Sequence, residues 1–283
     1  MKVLVIGGTG FIGSAEKAKQ LAAEEIFPII GDASEPTKWL TPSLISTLDV
    51  IIDAIGYGDV DLSSVGPSFL TLVSTLSQQS RPSHSPKLSF IYTSGTWVYG
   101  DDRKEIVSDT TPIAKSADLV AWRPAHEQTV INSTVLNGIV IRPALVYGRS
   151  GSLTSLLFKQ AKKGEKIIWY GEPGGRFNVV HTDDLANLYV LAAEKAQLVK
   201  GQIFAGANDV TESVDDILRK LVDITGAAGF EFVEPTNVFE RALTTTSLVR
   251  PYLARSLLGW RPVKAGLVDH LEIYYKAWEA TSS

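Results

Sequence analysis

The chain has 283 residues, 45% of them hydrophobic and 20% charged, the balance of a globular protein with one large domain or a domain and a smaller lobe. A formal net charge of −4 argues against nucleic acid or an anionic membrane as partner, and the lack of cysteine excludes disulfides, a thiol nucleophile and a cysteine-ligated metal. The opening MKVLVIGG is too short and glycine-rich for a secretory segment, and no run of about 18 apolar residues occurs, so a cytoplasmic location is expected.

Strand-like runs alternate with helical ones. KVLVI (2–6), EIFPII (25–30), DVIIDAI (49–55), LSFIYTS (88–94) and NGIVIRPA (137–144) predict strands, and their near-continuous apolar character predicts burial on both faces. Helices are expected over 12–25, about 62–80 and 124–134. This alternation argues for a Rossmann-like, doubly wound parallel α/β sheet. Beyond Arg149 the character changes. SGSLTSLLFKQAKKGEK reads as a helix stopped at Gly164, and HTDDLANLYVLAAEKA as a second. GQIFAGAN predicts a further strand. SVDDILRKLVDITG is an amphipathic helix capped by Ser213 or Thr211 and stopped by Gly226. The expected organisation is a dinucleotide-binding domain over 1–149 and a small C-terminal substrate lobe over 150–283, parts of which return to the sheet.

Gly7, Gly10 and Gly13 follow the first strand and open a helix. Gly7 permits the tight turn, Gly10 lets the backbone approach a diphosphate, and Gly13 allows close helix packing. The turn's free N–H groups, with Phe11 and Ile12 among its residues, and the helix dipole favour phosphate. Ala54 and Gly56, at the end of DVIIDAI, would flank the cofactor. Asp32 lies 19 positions past Gly13, the count expected of the acid that bonds the adenosine ribose, which favours NAD over NADP.

VLVIGGTGFIGS (3–14) resembles the start of the extended short-chain dehydrogenase/reductases, the NAD-dependent epimerase/dehydratase group. TLDVIIDAIG, FIYTSGTWVYG, GIVIRPALVYGRSG and RFNVVHTDDLANLY follow in the same order. The resemblance implies NAD or NADP, oxidoreductase or epimerase chemistry, and a small carbonyl or alcohol substrate such as a nucleotide sugar, held by the C-terminal lobe; a homodimer is compatible with it. It also implies a different place for Asp32. PIIGDAS is similar to the end of the family's third strand, whose Asp lies near the adenine. EKAKQLAAEE is similar to the helix between strands two and three. On that reading one N-terminal strand is missing, and Pro28 suits the edge strand of the half-sheet.

The family's mechanism uses a Tyr four residues before a Lys on one helix face, with a Ser or Thr near the end of the preceding strand. Counting back from Glu127, the Lys position holds Arg123 and the Tyr position Leu119. Arg123 can still contact a ribose; Leu119 cannot move a proton. Pro124 starts the helix near Trp122 or Pro124 and leaves Leu119 in a loop. The hydroxyl position falls on Gly95, between Ser94 and Thr96, either of which would have to substitute. Tyr147 and Tyr99 sit in VYG turns at strand ends, where packing is the simpler role. His126 reads as a surface helix residue, and His181, Asp183 and Asp184 as structural groups at a helix start. Arg142, Arg149 and Arg176 are candidate contacts for an anionic substrate, with surface or ion-pair roles the simpler account. No metal-ligand spacing stands out. Two function classes fit: an oxidoreductase with degenerate catalytic positions, and a non-catalytic dinucleotide-sensing or scaffold protein.

Overall fold

In the computed structural model the described residues are 1–7, 15–56, 61–149 and 153–281. They fall into two compact units that interleave along the chain. The first takes Met1–Thr93, Ala125–Val140 and Ala192–Gln202; the second takes Ser94–Pro124, Ile141–Leu191 and Ile203–Ser283. A central sheet contains β1 (Val3–Ile6), β2 (Val50–Asp53), β3 (Ser89–Thr93), β5 (Asn137–Pro143) and β10 (Ile203–Gly206), in the order β1-β2-β3-β5-β10. β1 and β2 are parallel, with Val3 opposite Val50 and Ile6 opposite Asp53, and β2 and β3 are parallel with Val50 opposite Ser89. Every residue of β2 is buried, as its continuous apolar run predicts.

In the first unit, α1 (Ala15–Ala23) and the short α2 (Pro42–Ile45) precede β2. Helix α3 (Leu62–Ser80) starts at Asp61, whose carboxylate accepts the Ser63 N–H. Its buried stripe is Phe69, Leu70, Val73 and Leu76, one face at helical spacing. Phe69 stacks on Trp39 and lies against Phe90 of β3. Helix α4 (Arg123–Ile131) has Pro124 as its second residue, where a missing N–H costs nothing.

EIFPII is not a strand. Among the described residues β1 is the edge of the sheet, so the strand expected at 25–30 is absent. The classic order places strands on both sides of β1. The reasons are local. Glu25, two residues past the end of α1, lies in the left-handed region with φ 61, which redirects the chain. Pro28 has no N–H for a ladder. Ile26, Phe27, Ile29 and Ile30 are left in solvent, Phe27 with 87% of its surface exposed.

In the second unit, strands pair in twos: β4 (Asp102–Val107) with β13 (Ser247–Val249), β6 (Leu145–Tyr147) with β9 (Val179–His181), β7 (Ile167–Tyr170) with β12 (Phe230–Val233), and β8 (Arg176–Phe177) with β11 (Glu212–Ser213). The helices are α5 (Thr154–Lys162), α6 (Thr182–Glu194), α7 (Val214–Thr225), α8 (Val238–Leu243) and α9 (Leu271–Thr281). Ser213 caps α7 by accepting the Asp216 N–H, and Gly226 ends it with φ 70. Val214, Ile217, Leu218 and Leu221 of α7 join Phe158, Trp169 and Trp278 in one core. Buried Asp184 fixes the C-terminal tail: its carboxylate accepts the N–H groups of Val263 and Lys264, and its carbonyl accepts the Trp260 indole N–H. No helix among the described residues is long and apolar enough to cross a membrane.

Candidate functional site

Gly7 ends β1 with φ 76. A Cβ added there would stand 2.7 Å from the Ala54 carbonyl oxygen and 2.9 Å from the Ile55 Cα. Glycine is thus required twice, by the turn and by the close approach of the β2 end. The Ala54 N–H donates to the Ile6 carbonyl at 2.9 Å, and the Asp53 carboxylate accepts the Ile55 N–H. The structure therefore brings Gly7 and Ala54 together as a glycine turn should. A Cβ on Gly56 would meet nothing within 4 Å. Gly10, Phe11, Ile12 and Gly13 lie outside the described residues.

Asp32 is exposed and closes a turn of its own. Its carboxylate accepts the Ser34 N–H at 2.8 Å and the Ser34 hydroxyl at 2.7 Å, and these bonds hold its pKa below the usual carboxylate value. Its carbonyl accepts the Trp39 indole N–H at 2.9 Å. A Cβ on neighbouring Gly31 would overlap the Trp39 ring, so indole and backbone meet closely here.

The positions expected to be catalytic lie in the second unit. Ser94 follows β3; its N–H donates to the Ile141 carbonyl, while its buried hydroxyl oxygen has no hydrogen-bond partner among the described residues. Gly95 is extended, with φ 177, and an added Cβ would meet only the Pro143 carbonyl at 3.9 Å. Thr96 is buried at the start of a 3₁₀ turn over Thr96–Tyr99. Leu119 sits in another 3₁₀ turn, Asp118–Val120, ahead of α4, and Arg123 is the first residue of α4. Arg123 is buried with its guanidinium 5.0 Å from the Trp122 ring centroid.

Tyr147 is fully buried. Its hydroxyl donates to the Ala265 carbonyl at 2.7 Å and accepts from the Asn208 amide, and burial pushes its pKa up. That environment opposes proton release. Tyr99 carries the Arg142 guanidinium 4.9 Å from its ring centroid, and both are buried. His126 is also buried, against the Tyr92 ring, not on the surface as its neighbours in sequence suggested. His181 accepts the Asp183 N–H and packs closely under Gly148, a structural role, and burial lowers its pKa. Arg149 is exposed and pairs with Asp183 at 2.8 Å.

Arg176 lines an open cavity of about 200 Å³ with Arg250, Asp209, Ile106, Val210 and Leu248. Its Nε–H donates to the Thr211 hydroxyl at 2.6 Å, which holds the guanidinium on the wall. Arg250 escaped the sequence reading because no motif marks it; only the fold of β13 carries it to this cavity. Among the described residues no cluster of metal-ligating side chains occurs.

Similarity to known proteins follows this geometry. The chain resembles in structure the dTDP-glucose 4,6-dehydratase of Bacillus anthracis, crystallised in complex with NAD, at 16% identity and a TM-score of 0.76, over 99% of this chain and 97% of that one. It also resembles the UDP-glucuronic acid 4-epimerase of Bacillus cereus, crystallised with UDP-glucuronic acid and NAD, at 20% identity and a TM-score of 0.71, over 99% of this chain and all of that one. A protein from Sinorhizobium fredii, y4nG, is 28% identical over 109 residues, which is 37% of this chain and 27% of that relative's length. The sequence model of the NAD dependent epimerase/dehydratase family matches residues 3–205. A match over that much of the chain makes the protein a member of the NAD-dependent epimerase/dehydratase family.

Proposed function

We propose that this chain is an NAD-binding, epimerase/dehydratase-like protein that does not run the family's Tyr/Lys proton transfer. The observation that carries this reading is Leu119. It has no proton to give, and it lies in a 3₁₀ turn separate from the helix that begins at Arg123. The i, i+4 geometry that would present both side chains on one face is therefore absent as well. Gly7, Gly10 and Gly13 would hold the diphosphate, with Ala54 and Gly56 flanking the cofactor. When bound, NAD supplies the capacity for hydride transfer. Asp32, held ionised by Ser34, favours NAD over NADP, because a 2′-phosphate beside a carboxylate is repelled. In the lobe, Arg176 and Arg250 bring two guanidinium groups to a cavity that Asp209, paired with Arg255, also lines; with the apolar walls beside them, the two arginines suit the diphosphate of a nucleotide sugar. The epimerase structure above, with UDP-glucuronic acid and NAD bound, supports that ligand class.

NADH fluorescence titration, followed by an absorbance assay with UDP- and dTDP-sugars, tests the reading. Saturable NADH binding without turnover is expected. Turnover, or no NADH binding, overturns it. The unsatisfied hydroxyl of Ser94 favours a second reading, residual catalysis through a displaced serine. A turnover that disappears in Ser94→Ala would select that reading.

A further inference from the structure

We propose that residues 26–30 are a strap that adds to the open edge of β1 as a parallel strand. The Lys2 carbonyl accepts from Asp49 and Val50, and the Ile6 carbonyl from Ala54, so these carbonyls face β2. Alternation along the strand turns the backbone groups of Val3 and Val5 the other way, to the outer edge. Among the described residues no strand pairs there, and both valines are exposed. An unpaired edge of this kind is a template for another strand.

The chain supplies one. Ile26, Phe27, Ile29 and Ile30 are strand-forming residues left in solvent. The backbone hydrogen bond at this segment among the described residues runs from the Ile26 N–H to the Leu21 carbonyl. The segment hangs between two defined ends. Glu25, two residues past α1, sits in the left-handed region at φ 61, where a non-glycine backbone is strained. The turn at Asp32, tied to Ser34 and to the Trp39 indole, is the other end. Between Ile6 and Ile26 lie residues 7–25, long enough for the crossover of about a dozen residues that parallel pairing needs.

Pro28 fixes the phase. Its missing N–H must point away from β1, which places it opposite Val3 or Val5. The N–H groups of Phe27, Ile29 and Gly31 then face β1, and that of Ile30 faces solvent. The same phase puts Phe27 and Ile29 on the face of Leu4 and Ile6, the less exposed face of β1.

Because the chain has no cysteine, disulfide trapping is clean. Val5→Cys/Ile30→Cys and Val3→Cys/Ile26→Cys cover the two registers, and Val5→Cys/Ile29→Cys places the thiols on opposite faces as a control. An intramolecular disulfide in one of the first two, formed faster than in the control, is expected under mild oxidation. No disulfide in either, or only disulfide-linked dimers, overturns the proposal; the dimers would mean that a second copy occupies the edge. Amide exchange on the unsubstituted chain is independent of these variants. Ile29 and Gly31 should exchange about tenfold more slowly than Ile30. Uniformly fast exchange through 27–31 overturns the proposal. Neither readout uses a dinucleotide, so failure here leaves the proposed function standing.

Discussion

Gly7 shows how a single missing Cβ fixes a site. Replacing it with alanine forces φ 76 on a residue that resists it, and drives the new carbon to 2.7 Å from the Ala54 oxygen. Together these effects should cost about 2–4 kcal/mol, measured as a lowered urea midpoint in Gly7→Ala. Gly95 is the opposite case: extended and roomy, it should accept serine within about 0.5 kcal/mol. The three-residue glycine spacing made Gly7 legible in the sequence, whereas nothing in SGT revealed the space at Gly95. His126 was illegible for a related reason, since only packing shows that Tyr92 covers it. His181 gives a pH prediction. Burial keeps its imidazole neutral and pushes its pKa below 6.5. As pH falls, the unfolded chain takes up this proton first. The associated stability is therefore full above about pH 6.5 and is lost below it until the folded imidazole also protonates. His181→Asn keeps an acceptor for the Asp183 N–H and does not titrate. Its urea stability should fall less than that of the parent between pH 6.5 and 5; equal slopes would remove His181 from the account.

Helix α4 begins one turn after Leu119, and this start was readable because Pro124 disfavours helix before it. Restoring side chains without moving the helix start should therefore restore nothing. Leu119→Tyr with Gly95→Ser should leave NADH-linked turnover of UDP-sugars at background. A rate above background would show that the phenol reaches the site from the 3₁₀ turn. EIFPII misled for the converse reason. Its residues have strand character, but a strand exists only where a ladder forms, and in the structure 26–30 have none. Periodicity reports which side chains seek burial and not whether a neighbour is there to bury them. The cost is visible: four large apolar side chains stay in water, each worth about 1.5–3 kcal/mol if fully buried.

Across the whole chain, five ordered motifs carried the family into the sequence reading, and the family model over residues 3–205 agrees with them. The interleaving of the two units was not readable, because 125–140 and 192–202 join the N-terminal unit through contacts distant in sequence. Nor was it readable that β1 would stand at the edge of the sheet. An edge position leaves the strand that carries Gly7 supported on one side, so the glycine turn and the sheet should gain from the same repair. Inserting about 20 residues of helix end, turn and strand between Ala15 and Glu16 would give β1 a second neighbour. Three further buried apolar side chains contribute about 5–9 kcal/mol, from which ordering the new strand subtracts most. A residual gain of about 2 kcal/mol corresponds to a melting temperature raised by about 4–8 °C. NADH should also bind more tightly, since less of its binding energy goes into ordering the turn. If the parent chain melts at the higher temperature and binds NADH equally well, β1 needs no second neighbour, and Gly7 is held by Ala54 alone.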